Sequence, residues 1–434
     1  MFDTFRNAWK IQELRKKILY TLLILVIFRF GSAVPVPFVA AGALQSFMSQ
    51  AGGFLGYLDM LTGGSFGKST LFALSVTPYI NASIIIQLLT VAIPALERLS
   101  KEGESGRRKI TKITRYAGAG IAVALAIGYY FLLRGQNALM YTEGFSGIFA
   151  AVVIVLAFTA GSMLIQWLGE QIDIKGIGNG ISILIFAGIV SRFSSVATAV
   201  KNFWDLGVAG DTKNFFFIPF IAILAVVVIV FVVILNAAER RIPVQYAKVV
   251  VGRKMMGGQS THIPIKVNMS GVMPVIFASA LISIPGTIGG LLNLSPIDHP
   301  NWTAFFRMFS TTGFLYAAIY LILIIGFNYF YVAIQYNPVE IANNLRGNNG
   351  TIPGYRPGKP TSDFITKVLG KITFIGAMFL AVVAILPIAL ANIPNMQGLA
   401  LGGTSLLILV GVALDTSRSL ESYMLMRHHK GFLE

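Results

Sequence analysis

AGGFLGYLDMLTGGSFGKSTLFALSVTPYINASIIIQLLTVAIP, residues Ala51–Pro94, is the stretch whose reading decides the fold. A short apolar piece, Phe54–Leu61, stops at Thr62, Gly63 and Gly64, and Phe72–Ile93 then supplies one full span. The first piece cannot cross a bilayer, whose hydrocarbon core takes about 20 apolar residues of helix. Glycine-broken backbone cannot face lipid either, because each unpaired N–H or C=O there costs several kcal/mol. It has to be buried in protein or to line a water-filled cavity. The stretch therefore predicts a half-length helix folded back into a hollow, with the rest of the chain as its wall.

Composition agrees. Of 434 residues, 55% are hydrophobic and 12% charged, against about 25% charged in an average chain. That argues against a soluble globule. Successive apolar runs of spanning length predict an all-α polytopic membrane protein. Ten spans are expected, near residues 18–37, 71–94, 115–134, 146–168, 177–194, 215–236, 271–292, 312–335, 368–391 and 401–424. The chain has no cysteine, which excludes disulfides and thiolate chemistry. Its net charge of +16 implies anionic neighbours: lipid head groups, nucleic acid or acidic protein.

Arg6, Lys10, Arg15, Lys16 and Lys17 precede the apolar run Ile18–Phe28. A cleavable leader is the rival reading, but Met1 is retained and Arg29 interrupts the run, so an uncleaved first span is expected. Phe2, Phe5 and Trp9 recur at helical spacing among polar residues, which suits an interfacial helix. With the N-terminus in the cytosol, only Lys68, Arg134, Arg192, Lys201, Lys213 and Arg307 of the 34 lysines and arginines fall outside, and Arg29 lies within the first span. That asymmetry follows the positive-inside rule and puts both ends in the cytosol. Ten spans divide into two fives, which cross in opposite senses as inverted repeats do. The linker is then the outer loop Ser191–Asn214.

Several motifs are declined. Gly63–Thr70 resembles a phosphate-binding loop, but Thr62 stands where that pattern needs a glycine. Gly176-Ile177-Gly178-Asn179-Gly180 has no strand before it and reads as a flexible start to the fifth span. His262, His299, His428 and His429 show no metal spacing, and no catalytic motif is present. Neither a cofactor, a metal nor an enzyme activity is expected. The clearest intramembrane charges are Arg29 and Asp415, both near span ends, so nothing is expected to harvest an ion gradient. Two segments stand out instead. Asn236–Ser270 carries Arg240, Arg241 and Lys248, and Gln335–Thr366 carries Arg346, Arg356 and Lys359. Loops longer than about 12–15 residues are usually functional, and these predict docking of a large acidic partner.

ALSVTPYINASIIIQLLT (Ala73–Thr90), KEGESGRRKITKITRY (Lys101–Tyr116), GIGNGISILIFAGI (Gly176–Ile189), AERRIPVQYAK (Ala238–Lys248), KVNMSGVMPVIFASA (Lys266–Ala280), PGYRPGKPT (Pro353–Thr361) and GGTSLLILVGVALD (Gly402–Asp415) carry a resemblance that runs through the whole chain in order. The chain resembles the SecY/Sec61-alpha family, the central subunit of the protein-conducting channel, in a Gram-positive-like form. The resemblance implies an hourglass pore between halves 1–200 and 201–434, with a lateral gate between spans 2–3 and 7–8. It implies a constriction ring of Ile80, Ile84, Ile181, Ile185, Ile276 and Ile408. The implied plug is about 54–64: Phe54, Leu55, Gly56, Tyr57, Leu58, Asp59, Met60, Leu61, Thr62, Gly63 and Gly64. Docking loops at about 237–270 and 336–367 would engage the SecA ATPase or the ribosome (rRNA and ribosomal proteins) through Arg240, Arg241, Lys248 and Arg356. Implied partners further include SecE and SecG-like small membrane subunits, signal peptides, nascent polypeptides and anionic lipids, all at the bacterial cytoplasmic membrane. The alternative reading is a secondary transporter of a small solute, which shares inverted repeats and broken helices.

Overall fold

The computed structural model describes residues 6, 8–40, 44, 59, 62–191, 193, 198, 200–201, 204–205, 213–246, 248–251, 254–257, 260–292, 313–391 and 403–430. Its helices are α1 (Gln12–Gly31), α2 (Thr77–Ala92), α3 (Pro94–Lys101), α4 (Glu104–Gly135), α5 (Gly144–Lys175), α6 (Gly180–Ser191), α7 (Lys213–Ala237), α8 (Met273–Leu292), α9 (Phe314–Gln335), α10 (Pro338–Gly347), α11 (Lys359–Ala391) and α12 (Gly403–Lys430). Each expected span falls on one of them. Glu104–Gly135, Gly144–Lys175, Phe314–Gly347 and Lys359–Leu386 are long and apolar enough to cross a membrane, and α2 with α3 makes a fifth such unit bent by 101°. The bend sits at Ile93, which is extended ahead of Pro94. Proline lacks the amide proton a continuing helix would use and disfavours helical backbone in the residue before it.

The second span is shorter than the sequence suggests. Phe72–Val76 are apolar but not helical, and α2 begins only at Thr77 with Pro78 in its first turn. Ser69 and Ser75 hold φ of 50° and 49°, left-handed values at which a helix cannot run through. Residues 62–76 form a chain of turns that is almost wholly buried. Of the expected plug, Asp59, Thr62, Gly63 and Gly64 are described; Phe54–Leu58, Met60 and Leu61 lie outside the described residues.

Three apolar cores organise the helices. One joins α4 and α5 to the segments around Val36 and Phe66. A second joins α7, α8, α9, α11 and α12. The third lies between them and draws on α1, α2, α5, α6, α8 and α12. The all-α expectation needs one addition, because the two predicted docking loops fold together as β-structure. β1 (Glu239–Tyr246), β2 (Lys248–Val251), β3 (Lys254–Gly257) and β4 (Ser260–Lys266) come from the first, β5 (Gly350–Thr351) from the second. The main sheet is antiparallel in the order β4-β1-β5, with Ile242 opposite Ile263 and Gln245 opposite Thr351. The β2–β3 hairpin stands apart from it. Ile242 and Val244 alternate inward along β1, as the two-residue repeat of a strand requires. They close a core with Ile265, Leu345, Ile352, Ile365 and Leu369.

Candidate pore constriction

The third core is where the two ends of the chain meet. Ile24 and Phe28 of α1, Ile165, Leu168 and Ile172 of α5, Ile183, Leu184, Ile185 and Ile189 of α6, and Ile408 of α12 are buried in it. Ile80 of α2, Ile181 of α6 and Ile276 of α8 pack against it half-buried. Five of the six expected ring residues therefore share one apolar cluster, contributed by four helices. Ile84 is half-buried on α2 and is not a member. It lies one turn beyond Ile80, on the same side of the helix but farther along its axis. The packed side chains are aliphatic and aromatic, with the Thr21 and Thr416 hydroxyls at the margins beside Gly176 and Gly178. Packed aliphatic and aromatic side chains of this kind can exclude water.

Phe72 and Val76 also belong to the cluster, and the sequence offered no reason to single them out. They bring the broken stretch into it. Phe72 stacks on Phe28 with ring centroids 5.8 Å apart, and a Cβ on Gly31 would collide with that ring. Upstream, the turn is bolted down by hydrogen bonds. Gly67 N–H donates to Asp59 Oδ1 at 2.8 Å, and Phe66 N–H to Thr62 Oγ1 at 3.1 Å. The Tyr129 hydroxyl of α4 donates to the Phe66 carbonyl and lies 3.1 Å from Ser69 Oγ. From α5, Ser162 Oγ donates to the Ser75 carbonyl at 3.1 Å, and a side chain on Gly161 would strike the Leu71 carbonyl. Gly63, at φ 67°, rests on α6: the Ser191 hydroxyl, which donates to the Gly188 carbonyl at 2.7 Å, also lies 3.3 Å from the Gly63 carbonyl. Any Cβ there would come within 2.8 Å of the Gly188 carbonyl. Irregular backbone at this depth is thus buried and paired, the condition for it to exist inside a membrane.

The intramembrane candidates Arg29 and Asp415 are both exposed. Arg240 and Arg241 are exposed on β1, where Arg241 Nε donates to Glu239 Oε1 at 2.7 Å. Lys248 opens β2. Arg356 is exposed in the turn between β5 and α11, flanked by Gly354 and Gly358 at φ 86° and 103°. Its carbonyl accepts from Thr361 Oγ1 at 2.8 Å, and Tyr355 stacks on Phe364 at 4.2 Å. The turn is fixed while the guanidinium projects from it. β5 pairs with β1, so Arg240, Arg241 and Arg356 are carried by one sheet unit although more than a hundred residues apart.

Comparison with known proteins follows the same line. The family model described as SecY matches residues 70–417. The chain is 42% identical over 448 residues to the protein translocase subunit SecY of Halalkalibacterium halodurans, with 100% of each chain covered. Among solved structures it is similar to one described as the structure of a protein conducting channel, with a TM-score of 0.64 at 17% identity over 94% of this chain and 92% of that one. It is also similar to Sec61 in the canine ribosome–channel complex from the endoplasmic reticulum, with a TM-score of 0.60 at 17% identity, covering 94% and 92%. At those identities the likeness is one of fold.

Proposed function

The chain belongs to the SecY family, and from that premise we propose that it is a passive protein-conducting channel. It passes unfolded secretory polypeptides across the bacterial cytoplasmic membrane and releases hydrophobic helices sideways into lipid. The observation that carries this reading is the buried cluster that unites Ile80, Ile181, Ile185, Ile276 and Ile408 with Phe72 and Val76. A pore for chains of any sequence has no use for specific polar contacts at its narrowest point. Branched aliphatic side chains give way around a threaded peptide and close by dewetting when it leaves. A solute transporter would place ionisable partners at that depth, whereas the residues brought together here are aliphatic and aromatic. The transporter reading is not favoured.

The chain divides near residue 200 into two halves, each of five spans, with both termini and the sheet unit in the cytosol. Their contacts are uneven, which supports a hinge and a gate. α6 packs along α12, whereas α4 meets α8 at few positions among the described residues. The broken segment around 54–64 is the plug. SecE and SecG-like subunits complete the channel, and SecA or the ribosome docks on the sheet unit through Arg240, Arg241, Lys248 and Arg356.

The test is reconstitution. The chain, co-expressed with its small subunits, is placed in vesicles with SecA, ATP and a secretory precursor. Protease-protected precursor is the expected result. Sealed vesicles with correctly folded complex and no protection would overturn the channel assignment.

A further inference from the structure

Away from the constriction, a groove of about 510 Å³ runs between α9 and α11, lined by Tyr329, Lys367, Gly370, Lys371, Phe374 and Ile375. Lys367 and Lys371 are exposed and one turn apart on α11, so their ammonium groups stand side by side. Among the described residues neither has an acidic partner within salt-bridge distance. Like charges at that spacing repel, and a bound anion would remove the repulsion. The Tyr329 hydroxyl donates to the Gly370 carbonyl at 3.0 Å, which fixes its ring as one wall. Gly370 forms the floor. It sits inside a helix, where glycine is unfavourable, yet no atom lies within 4 Å of where its Cβ would be. A side chain would fit there, so glycine is not required by packing; its effect is to keep the floor of the groove low. Beyond the lysines, Phe374, Ile375, Met378 and Val382 are exposed at three- and four-residue spacing, an apolar stripe leading away from the charge.

Paired cations at one end and a bare apolar track from the other match a single amphiphile. We infer that this groove binds an anionic phospholipid, its phosphate between Lys367 and Lys371 and an acyl chain along Phe374, Ile375, Met378 and Val382. Basic pockets between membrane helices recognise anionic head groups in this way. That the lipid comes from the cytosolic leaflet rests on the orientation proposed above; the site itself does not.

Native mass spectrometry of the delipidated full complex, titrated with phosphatidylglycerol or phosphatidylcholine, tests this without asking whether the channel works. Removing either charge, by Lys367→Gln or Lys371→Gln, is expected to weaken phosphatidylglycerol binding about fivefold, the equivalent of about 1 kcal/mol per basic side chain at an anionic surface. Phosphatidylcholine binding should not change. Gly370→Leu raises the floor and keeps both charges, so it should lower phosphatidylglycerol occupancy as well and separate a shaped site from diffuse attraction. A photoreactive benzoylphenylalanine replacing Ile375 should yield a phospholipid adduct. A polypeptide adduct there, or equal phosphatidylglycerol affinity in the wild type and the Lys367→Gln/Lys371→Gln double variant, overturns the inference. Translocation by the wild type in reconstituted vesicles is scored separately, so a failed channel reading and a failed lipid site give different results.

Discussion

Ile408→Asn is the sharpest probe of the seal. The side chain keeps 3% of its surface exposed, and the isoleucines, Phe72 and Val76 of its cluster offer an amide no donor or acceptor. Full burial of an isoleucine contributes about 1.5–3 kcal/mol, which the closed state loses. Leaving an amide unpaired there costs about 1–3 kcal/mol more on mutational scales. Opening the constriction hydrates the amide and relieves the second cost. The closed–open equilibrium should therefore move toward open by roughly 5- to 150-fold, the range equivalent to 1–3 kcal/mol. Ion conductance in planar bilayers, normalised per folded channel, reads this directly. Ile408→Leu conserves volume and should stay close to the wild type, since such exchanges usually cost under about 1.5 kcal/mol. Ile86→Asn is the control for burial alone. Ile86 is 6% exposed and shares the face of α2 that carries Ala82, and that face lies against Gly118 of α4 rather than in the constriction. It should lower the yield of folded protein without raising leakage per channel. A sealed Ile408→Asn channel, or equal leakage from Ile86→Asn, would refute the reasoning.

The chain has no cysteine, so single cysteines can report topology: Asn348→Cys, exposed beside β5, should label only from the cytosol and Glu143→Cys only from outside. Gly350 would be a poor probe, being buried with Tyr246 Cε1 3.0 Å from its would-be Cβ. Arg356→Glu should reduce SecA-driven translocation at least tenfold while stability stays within about 0.5 kcal/mol, as for exposed positions generally. Arg356→Lys should also be impaired, because lysine lacks the planar fork that pairs bidentately with carboxylates; vesicle translocation and a melting curve check both. Gly350→Val should wedge β5 off β1 by overpacking against Tyr246 and Leu345, at about 1–3 kcal/mol. The readout is faster amide exchange at Gln245 and Tyr246, with translocation lost even though Arg356 is intact.

Much of the fold was legible because membrane spans announce themselves by apolar length alone. The break at Gly63-Gly64 was legible for the same reason, since backbone that cannot face lipid has to turn inward. Where α2 starts was not. Phe72–Val76 is as apolar as the helix that follows, and the choice is made by Ser69 and Ser75 in left-handed conformation and by hydrogen bonds from Ser162 and Tyr129. Those partners are 60 and 87 residues away in sequence. The sheet was equally hidden. ERRIPVQY has charges, a proline and only two inward-facing residues, Ile242 and Val244, and its short partner β5 comes from the other loop. As for the ring, spacing could put Ile80 and Ile84 on one face, but membership in the cluster differs between them and depends on what lies opposite each turn.

If the proposed channel reading holds, the way the broken segment is attached predicts how the seal opens. Among the described residues, every side-chain hydrogen bond holding residues 62–76 to another helix comes from α4, α5 or α6: Tyr129, Ser162 and Ser191. Val36 N–H and Leu71 N–H add backbone bonds to and from the segment after α1, at 3.2 and 2.9 Å. α8 with Val272 just before it, and α12, meet the same cluster through Val272, Ile276, Ile408, Leu409 and Val412, which are all aliphatic. Parting the halves therefore breaks dispersion contacts, each worth only about 0.1–0.2 kcal/mol per atom pair, and strands no buried donor or acceptor of the turn. Tearing the turn from its own half would leave several such groups unpaired, at about 1–3 kcal/mol each. On the proposed channel reading, the base of the plug would accordingly travel with the first half, and the seal would fail along the aliphatic seam contributed by α8, its preceding Val272 and α12. Replacing Ser162 and Ser191 by alanine tests this: the double variant should loosen the turn, seen as faster amide exchange across residues 62–76, and raise leakage without any change in the ring. Unchanged exchange there would place the anchorage elsewhere.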